Sequence, residues 1–398
     1  MISPGIQQRV EYSGGTTTPI RVAHLLHTVA HGGVETALLN WFATFDHSID
    51  ARMYCFSNPG GTEEPFLEAA SAQGLPVGIL PWSRWKPVLR CALQMAEEVR
   101  RHNIDILHCH NTYANLVGIL TAKLTPVRTA TTYYVWGNFT VVRNALQGID
   151  RLLMGQFDQV TAHCEQCLHD TVDRGYPEHR LRLAICGYPE KGDRMNPVER
   201  ASMRDAMGIR DSDRVLIYGA RFWPEKAHTN LLDAMVSIHR RHPEAVLLLP
   251  GAGPELEAAK AHCSKLHLDN CVRFLGFRDD YDRLLDIADI MVHPSDNEGV
   301  ALAVCAAMSA GLPIVASRVG GLMEVLKHEE SAILIPPRDP AALANSVSAL
   351  INDPDRAKAL GLTARRFIQE EYSLKVATSR LTGIYADMMR RPVSGRAT

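Results

Sequence analysis

The stretch VHPSDNEGVALAVCAAMSAGLPIVASRVGGLMEVL, residues 292–326, predicts the fold class of this chain. An apolar strand ends at His293, and a polar turn leads to Glu298 and Gly299 at the start of an apolar helix. The chain then returns to a strand over Pro313–Ala316. A strand, a helix and a second strand in this order are typical of parallel sheets covered by helices, the α/β class.

The same alternation continues on both sides of this stretch. In the second half it predicts strands Val215–Tyr218, Ala245–Leu249, Val272–Leu275 and Ile290–His293, and helices Asn230–Arg241, Glu255–Leu266 and Tyr281–Ala288. In the first half it predicts strands Val22–Leu26, Met53–Ser57, Ile104–His108, Thr129–Tyr134 and Gln159–Ala162, and helices Val34–Phe45 and Val88–His102. Glycine, proline and charge cluster across 185–197, which predicts a linker between two α/β domains with a cleft between them. Ligands of such sheets bind beyond the carboxyl ends of the strands.

Composition excludes several classes of protein. The 398 residues are 46% hydrophobic and 22% charged, and the net charge of −2 does not favour nucleic-acid binding. No apolar run approaches the roughly 20 residues of a membrane span. Residues 1–19 resemble a disordered tail rather than a signal peptide, and nine scattered cysteines favour reduced thiols in the cytoplasm.

One group of metal-binding residue types stands out, in HCEQCLHD at 163–170. His163, Cys164, Cys167 and His169 could bind zinc, but a second Cys/His pair at a suitable distance is not evident. We therefore expect no metal and a helix that begins near Cys164.

Two loops carry groups suited to phosphate. Gly32 and Gly33 precede the first helix, where free N–H groups favour an anion, although paired glycines also make tight turns. Arg221 and Lys226 follow a predicted strand and could neutralise a diphosphate, with solvated surface charges as the alternative. The PGAGPEL stretch at 250–256 is weak evidence for a dinucleotide, because Pro254 occupies the turn.

Two further features belong to the stretch at 292–326. An acid at a helix start is stabilised by the helix dipole, so Glu298 could serve stability alone. Ser317 and Gly320–Gly321 form a loop whose N–H groups could face an anion.

The second half resembles the retaining GT-B glycosyltransferases of family 4, of the glycosyl transferases group 1 type. Between 220 and 344 the matching motifs are ARFWPEK, PGAGPE, VRFLGF, ADIMVHPSDNEG, AGLPIVASRVGG and AILIPPRDPAALA, in that order. The first half matches more loosely, through GGVET and DILHCHN. The resemblance implies two Rossmann-like domains: an acceptor domain at 20–190 and a donor domain at 191–372, with a helix within 373–392 returning to the first.

The resemblance also implies a chemistry. A sugar leaves a nucleoside diphosphate with retention, and cations stabilise the departing charge without a metal or a cofactor. It assigns Arg221 and Lys226 to the diphosphate, helped by N–H groups after Ser317, and Glu298 to the sugar hydroxyls. The predicted donor-binding positions are Gly32, Gly33, Arg221, Lys226, Gly251, Phe277, Glu298, Gly299, Val300, Ala301, Leu302 and Ala306.

The chain departs from the family's pattern at two positions. Relatives have a second glutamate, usually on the nucleotide's ribose, where this chain has Ala306; the loss would weaken donor affinity by roughly 1.5–3 kcal/mol. Relatives also end the fifth strand with a histidine near the anomeric centre, where this chain has Tyr134. Tyrosine still donates a hydrogen bond. His110 is retained, as a substrate contact or as a structural histidine.

We therefore predict a glycosyltransferase that uses a UDP- or GDP-sugar and a glycan or lipid-linked acceptor, in surface glycan or glycolipid biosynthesis. The predicted catalytic set is Glu298, Arg221, Lys226, His110 and Tyr134, and the predicted location is the cytoplasm. Thr140–Phe157 could lie on the inner face of the membrane, with an ordinary core helix as the alternative. The alternative functions are an inactive glycosyltransferase-like partner and another GT-B activity, such as a sugar-nucleotide epimerase.

Overall fold

Two parallel sheets organise the chain, as the alternation of strands and helices predicts. The computed structural model describes residues 18–28, 33–81, 87–134, 148, 152–192 and 194–391. The predicted tail at 1–19, except for its last two residues, lies outside this part, as do Gly32 and most of the segment 140–157. The chain divides into two compact units: one up to Gly187 together with the segment from Leu374, the other Tyr188–Ser373.

The first unit contains a seven-stranded sheet, in which each strand is parallel to its neighbours, in the order β3-β2-β1-β4-β5-β6-β7. Its strands are β1 (Ile20–Leu26), β2 (Ile49–Ser57), β3 (Val77–Pro81), β4 (Ile106–His110), β5 (Arg128–Tyr133), β6 (Gln159–Ala162) and β7 (Leu181–Leu183). The helices described for this part of the chain are α1 (Gly33–Phe42), α2 (Glu64–Ala72), α3 (Val88–Arg101), α4 (Thr112–Leu124) and α5 (Glu165–Asp173).

The second unit contains a six-stranded parallel sheet in the order β10-β9-β8-β11-β12-β13. Its strands are β8 (Arg214–Ile217), β9 (Ala245–Pro250), β10 (Val272–Gly276), β11 (Ile290–His293), β12 (Ile314–Ser317) and β13 (Ile333–Ile335). Its helices are α6 (Pro197–Ala206), α7 (His228–Arg241), α8 (Leu256–Lys265), α9 (Tyr281–Ile287), α10 (Leu302–Ser309), α11 (Leu322–Val325), α12 (Pro340–Asn352) and α13 (Pro354–Glu371).

The core of the second unit lies on both faces of its sheet. Leu216 packs with residues of α7, α8 and α12, whereas the adjacent Ile217 packs with residues of α9, α10 and α11. Strands covered on both faces are continuous apolar runs, which is why β9 is buried at every position. Because these strands are parallel, the loops after β8, β9, β11 and β12 share one edge of the sheet.

The last helix, α14 (Leu374–Arg390), packs into the first unit. Tyr385 of this helix is fully buried, and its hydroxyl lies 2.7 Å from Nδ1 of His108 and 3.2 Å from Nε2 of His24. These contacts join α14 to β1 and β4.

The predicted bounds of β4 were wrong by two residues, since the strand covers Ile106–His110 rather than Ile104–His108. The N–H of Ile104 donates to the carbonyl of Val99, so this residue closes the turn after α3 instead of starting the strand. The first helix is also shorter than predicted and ends at Phe42.

Candidate active site

A buried ion pair lies at the carboxyl edge of the second sheet. Lys226 Nζ donates to Oε1 of Glu298, and the two side chains are 14% and 11% exposed. His293 Nε2 lies 2.9 Å from the same oxygen, and Ser295 Oγ donates to it at 3.3 Å. Among the described residues, Oε2 of Glu298 accepts no hydrogen bond. This carboxylate is therefore held through one oxygen, and the other remains for a ligand.

Glu298 is ionised at neutral pH. Burial by itself would raise the pKa of this carboxyl, but Lys226 and His293 outweigh burial and lower the pKa to about 2. A carboxylate that stays charged in a buried place can accept hydrogen bonds from sugar hydroxyls and cannot act as an acid near neutrality.

Tyr218, just beyond the end of β8, holds the two loops of the ion pair together. Its hydroxyl donates to the carbonyl of Lys226 at 2.8 Å and lies 3.0 Å from Ser295 Oγ. Lys226 ends a short 3-10 helix, Pro224–Lys226, and Ala227 turns the chain with a φ of 50°. The position of the ammonium group therefore depends on loops after two different strands.

Arg221 lies at the same edge but outside the ion pair. Its side chain is exposed, and its guanidinium carbon is 5.7 Å from the centre of the Trp223 ring. Within the described ranges it forms no ion pair. Arg221 is thus available to an anionic ligand, whereas Lys226 is already paired with Glu298.

Two glycines allow loops to meet at this edge. A Cβ on Gly320, whose φ is +45°, would lie 1.9 Å from the carbonyl oxygen of Glu298. A Cβ on Gly251 would lie 1.9 Å from the carbonyl oxygen of Ala220. Gly321 donates its N–H to the carbonyl of Glu298 at 3.1 Å. Glycine at 251 and 320 is thus required by close backbone contact around the ion pair.

Two buried polar atoms near the ion pair lack a partner. Nδ1 of His293 and Oγ of Ser317 form no hydrogen bond with any described residue. Both residues end strands, β11 and β12, on the edge that carries Glu298. Buried polar groups are nearly always paired, so these two atoms point to a polar ligand at this edge.

The helix of the opening stretch begins later than predicted. It starts at Leu302, with Ala301 as its N-cap, so Glu298 and Gly299 precede it in a loop. Glu298 therefore does not cap the helix, and its contacts are the ion pair instead. Val300 packs partly buried against the core, and Ala306 is 1% exposed. Phe277 is 70% exposed.

The site residues predicted in the first half lie in the first unit. Gly33 begins α1, and Gly32 lies outside the described residues. His110 ends β4 with no exposed surface, and its Nδ1 lies 2.8 Å from the hydroxyl of Tyr134. Complete burial favours the structural alternative for His110, which holds the Tyr134 side chain in place.

His110 belongs to a chain of buried hydrogen bonds. Its Nε2 lies 3.0 Å from Nδ1 of His24, and the hydroxyl of Tyr385 links Nε2 of His24 to Nδ1 of His108. Nε2 of His108 lies 2.7 Å from Oγ1 of Thr132. Burial lowers the pKa of all three histidines, that of His24 to about 3. All three are therefore neutral, with one donor and one acceptor nitrogen each.

The helix predicted near Cys164 is confirmed, since α5 starts at Glu165 with Cys164 as its N-cap. Sγ of Cys164 accepts the N–H of Cys167 at 3.4 Å. A side-chain hydrogen bond from Cys167, opposed by burial and supported by His163, lowers the pKa of Cys164 below that of an ordinary thiol. His169 is exposed on the helix.

Sequence reasoning missed Tyr218, His293 and Ser295 as site residues. The available signal was the position of these polar residues at or just beyond the carboxyl ends of apolar strands.

Of the segment 140–157 proposed for membrane contact, residues 140–147 and 149–151 lie outside the described residues, while Met154 and Phe157 are buried. None of the described helices is long and apolar enough to span a bilayer.

Family models match both halves of the chain. The model described as Glycosyl transferases group 1 matches residues 199–367, which include the ion pair. The model described as Glycosyltransferase Family 4 matches residues 31–189.

Individual proteins are similar over most of the chain. N-acetyl-alpha-D-glucosaminyl L-malate synthase of Bacillus anthracis is 27% identical over 77% of this chain and 81% of that protein. A D-inositol 3-phosphate glycosyltransferase of Corynebacterium urealyticum is 29% identical over 57% of this chain and 56% of that protein. The structure of Anabaena HepE in complex with UDP superposes on this chain with a TM-score of 0.81 and 18% identity. The superposed region covers 92% of this chain and 100% of the HepE chain. This last likeness shows the fold.

Proposed function

Because this chain belongs to the GT-B glycosyltransferases, with a group 1 C-terminal half and a family 4 N-terminal half, we propose that it transfers a sugar from a nucleoside diphosphate to a hydroxyl acceptor. The transfer proceeds with retention, and no metal takes part in the chemical step. The acceptor is a glycan or a lipid-linked glycan of surface glycan biosynthesis. The reaction takes place in the cytoplasm, where the nine free cysteines stay reduced.

The observation that carries this proposal is the arrangement of Lys226, Glu298 and Arg221 at one edge of the second sheet. Departure of a diphosphate places growing negative charge on its oxygens, and fixed cations in a partly dry site stabilise that charge. Arg221, exposed and without an ion-pair partner among the described residues, first attracts the diphosphate. Lys226 is then shared between Glu298 and the leaving phosphate.

Glu298 binds the sugar in this proposal. Its Oε1 is occupied by Lys226, His293 and Ser295, so hydroxyls of the sugar bind through Oε2. Because the carboxyl has a pKa of about 2, it accepts these hydrogen bonds throughout the neutral range. Each hydrogen bond to a charged acceptor is worth about 1.5–3 kcal/mol.

A uridine diphosphate sugar is the first donor to test, since HepE, which shares the fold, was solved with UDP. GDP-sugars are the alternative. Ala306 is a buried alanine where family members carry a glutamate for the ribose, so this chain must recognise the ribose through other groups. With a lipid-linked acceptor, the protein binds peripherally at the inner face of the membrane, where that acceptor lies.

The test is a thermal-shift panel of UDP, GDP, ADP, dTDP and their sugars. A donor present at 100 times its dissociation constant adds about 2.7 kcal/mol of stability, which raises the melting temperature measurably. The nucleotide that stabilises the protein then enters a nucleotide-release assay with candidate acceptors. Stabilisation by none of the panel, with no release of nucleotide, would favour the inactive partner.

Arg221→Ala and Lys226→Ala define the site in the same assay. We expect each to lower turnover by about 10²–10³-fold, the usual effect of removing a group that stabilises the departing charge. Arg214→Ala is the matched control, because Arg214 is an exposed arginine at the amino end of the strand that leads to Arg221. Equal turnover in Lys226→Ala and wild type would show that the assigned role is wrong.

A further inference from the structure

A second cluster of reactive side chains lies in the first unit. His163, Cys164 and Cys167 are 5%, 0% and 3% exposed, and they lie at the junction of β6 and α5. One ligand atom from each residue lies within 4.8 Å of the other two. The proposed transfer reaction uses none of these three residues.

The spacing of these atoms suits a tetrahedral metal ion. Zinc binds sulfur at about 2.3 Å and imidazole nitrogen at about 2.0–2.1 Å, which places tetrahedral ligands roughly 3.6–3.8 Å apart. The three atoms are therefore at most about 1 Å farther apart than a zinc ion requires.

Hydrogen bonds orient the cluster in the manner of a metal site. The N–H of Cys167 donates to Sγ of Cys164 at 3.4 Å. Nδ1 of His163 lies 3.4 Å from the carbonyl oxygen of Tyr133. In the tautomer whose Nδ1–H donates to this carbonyl, the lone pair of the neutral imidazole lies on Nε2 and is free to bind a metal.

Charge balance is also met by a divalent ion here. Metal binding turns the two thiols into thiolates, whose two negative charges the ion neutralises. A divalent ion with two thiolates and a neutral imidazole has no net charge. Sulfur and imidazole ligands suit zinc, whereas magnesium and calcium prefer carboxylate, carbonyl and water oxygens.

The other histidine cluster of this unit is less suited to a metal. His24, His108 and His110 also approach one another, but each of their ring nitrogens already lies in the buried hydrogen-bond chain. A metal there would have to break several of those bonds. His169, which the sequence places beside the cysteines, is exposed and outside the cluster.

We propose that His163, Cys164 and Cys167 bind one zinc ion, with water as the fourth ligand. The expectation of no metal rested on the absence of a second Cys/His pair in the sequence, and three protein ligands with water are a known zinc arrangement. Two protons leave the thiols as the two zinc–sulfur bonds form. Sγ of Cys167 now donates to the carbonyl of Tyr134 at 2.8 Å, and the metal would replace that hydrogen bond.

Cobalt(II) added to the full-length, reduced protein tests this site directly. We expect one equivalent to produce thiolate-to-cobalt charge-transfer absorption and the visible bands of a tetrahedral site, and one equivalent of zinc to abolish both. Cys164→Ser and Cys167→Ser should weaken zinc binding by more than ~100-fold, since even outer-shell partners are worth 10–100-fold. His169→Asn is the matched control and should bind as wild type does.

A further variant separates loss of the ligand from loss of folding. His163→Cys keeps three ligands, so it should still bind cobalt, with stronger charge-transfer absorption from the third sulfur. Wild-type protein without the cobalt spectrum would overturn the proposal, as would unchanged zinc affinity in Cys164→Ser. Oxidation of Cys164 and Cys167 to a disulfide in the presence of excess zinc would also overturn it and indicate a redox pair.

Discussion

Replacing Lys226 by methionine removes the ammonium group and leaves the carboxylate of Glu298 buried beside His293. The length of the side chain is nearly kept, so the change is mainly one of charge. Glu298 is only 11% exposed, which limits the water that could replace the lost partner. We expect Lys226→Met to destabilise the second unit even before any ligand is considered.

The magnitude follows from the pKa of Glu298. The partners of this carboxyl lower its pKa from 4.5 to about 2. At about 1.4 kcal/mol for each pH unit, this lowering corresponds to about 3 kcal/mol. Removing one partner of a buried pair typically costs about 3–5 kcal/mol. We therefore expect a loss of about 3 kcal/mol, or a melting temperature lower by about 6–12 °C for a domain of 150–250 residues.

The assay is thermal unfolding at pH 7 and low salt for wild type, Lys226→Met, Glu298→Gln and the double variant. In the double variant no buried carboxylate remains unpaired, so much of the lost stability should return. A double variant no more stable than Lys226→Met would refute this reasoning. The loss would then come from packing around the lysine side chain rather than from charge.

Four further outcomes are expected. Because the pKa of Glu298 is lowered, its contribution is complete above about pH 4.5 and disappears as the pH falls through 2. Wild type should therefore lose about 3 kcal/mol more than Glu298→Gln between pH 5 and pH 2, and parallel acid curves would contradict the ion pair. Gly320→Ala should lower stability and abolish donor binding, because its Cβ would lie 1.9 Å from a backbone oxygen. Gly208→Ala is the control: a Cβ there meets nothing within 4 Å, so chemical denaturation should show a loss of only about 1 kcal/mol. Tyr385→Phe should lose about 2 kcal/mol in the same measurement, because it leaves buried histidine nitrogens unpaired, and an unchanged midpoint would argue against the buried chain. Ala306→Glu should lower the melting temperature, because it places a carboxylate at a position that is only 1% exposed. If a bound nucleotide restores the melting temperature, the carboxylate reaches the ribose.

The accuracy of the sequence-based strands depended on their place in the sheet. Strands β6 and β11 were predicted with the bounds that the structure shows, and both lie between two neighbours. The three strands absent from the prediction, Val77–Pro81, Leu181–Leu183 and Ile333–Ile335, all lie at sheet edges. Two of these three strands, Leu181–Leu183 and Ile333–Ile335, have only three residues each, which is too short for an apolar pattern to be recognised. The fourth edge strand, β10, was predicted to within one residue.

The end of β4 shows a different limit. His108 and His110 are polar by type, so the apolar pattern predicted that the strand stops at the first of them. Both are fully buried because His24, Tyr385, Thr132 and Tyr134 supply hydrogen-bond partners. These partners come from three other strands or loops and the last helix, which no local pattern reveals.

The sequence by itself determined the α/β class, parallel sheets covered by helices, the ranges of several inner strands and the family. Buried parallel strands are continuous apolar runs, and family motifs are local strings of residues, so both can be recognised along the chain. Only the tertiary structure decided that Glu298 pairs with Lys226, 72 positions away, instead of capping a helix. It also decided that His163 rather than His169 joins the two cysteines. Ion pairs and ligand clusters depend on which strand ends meet and how deeply they are buried, and both follow from the packing of distant elements.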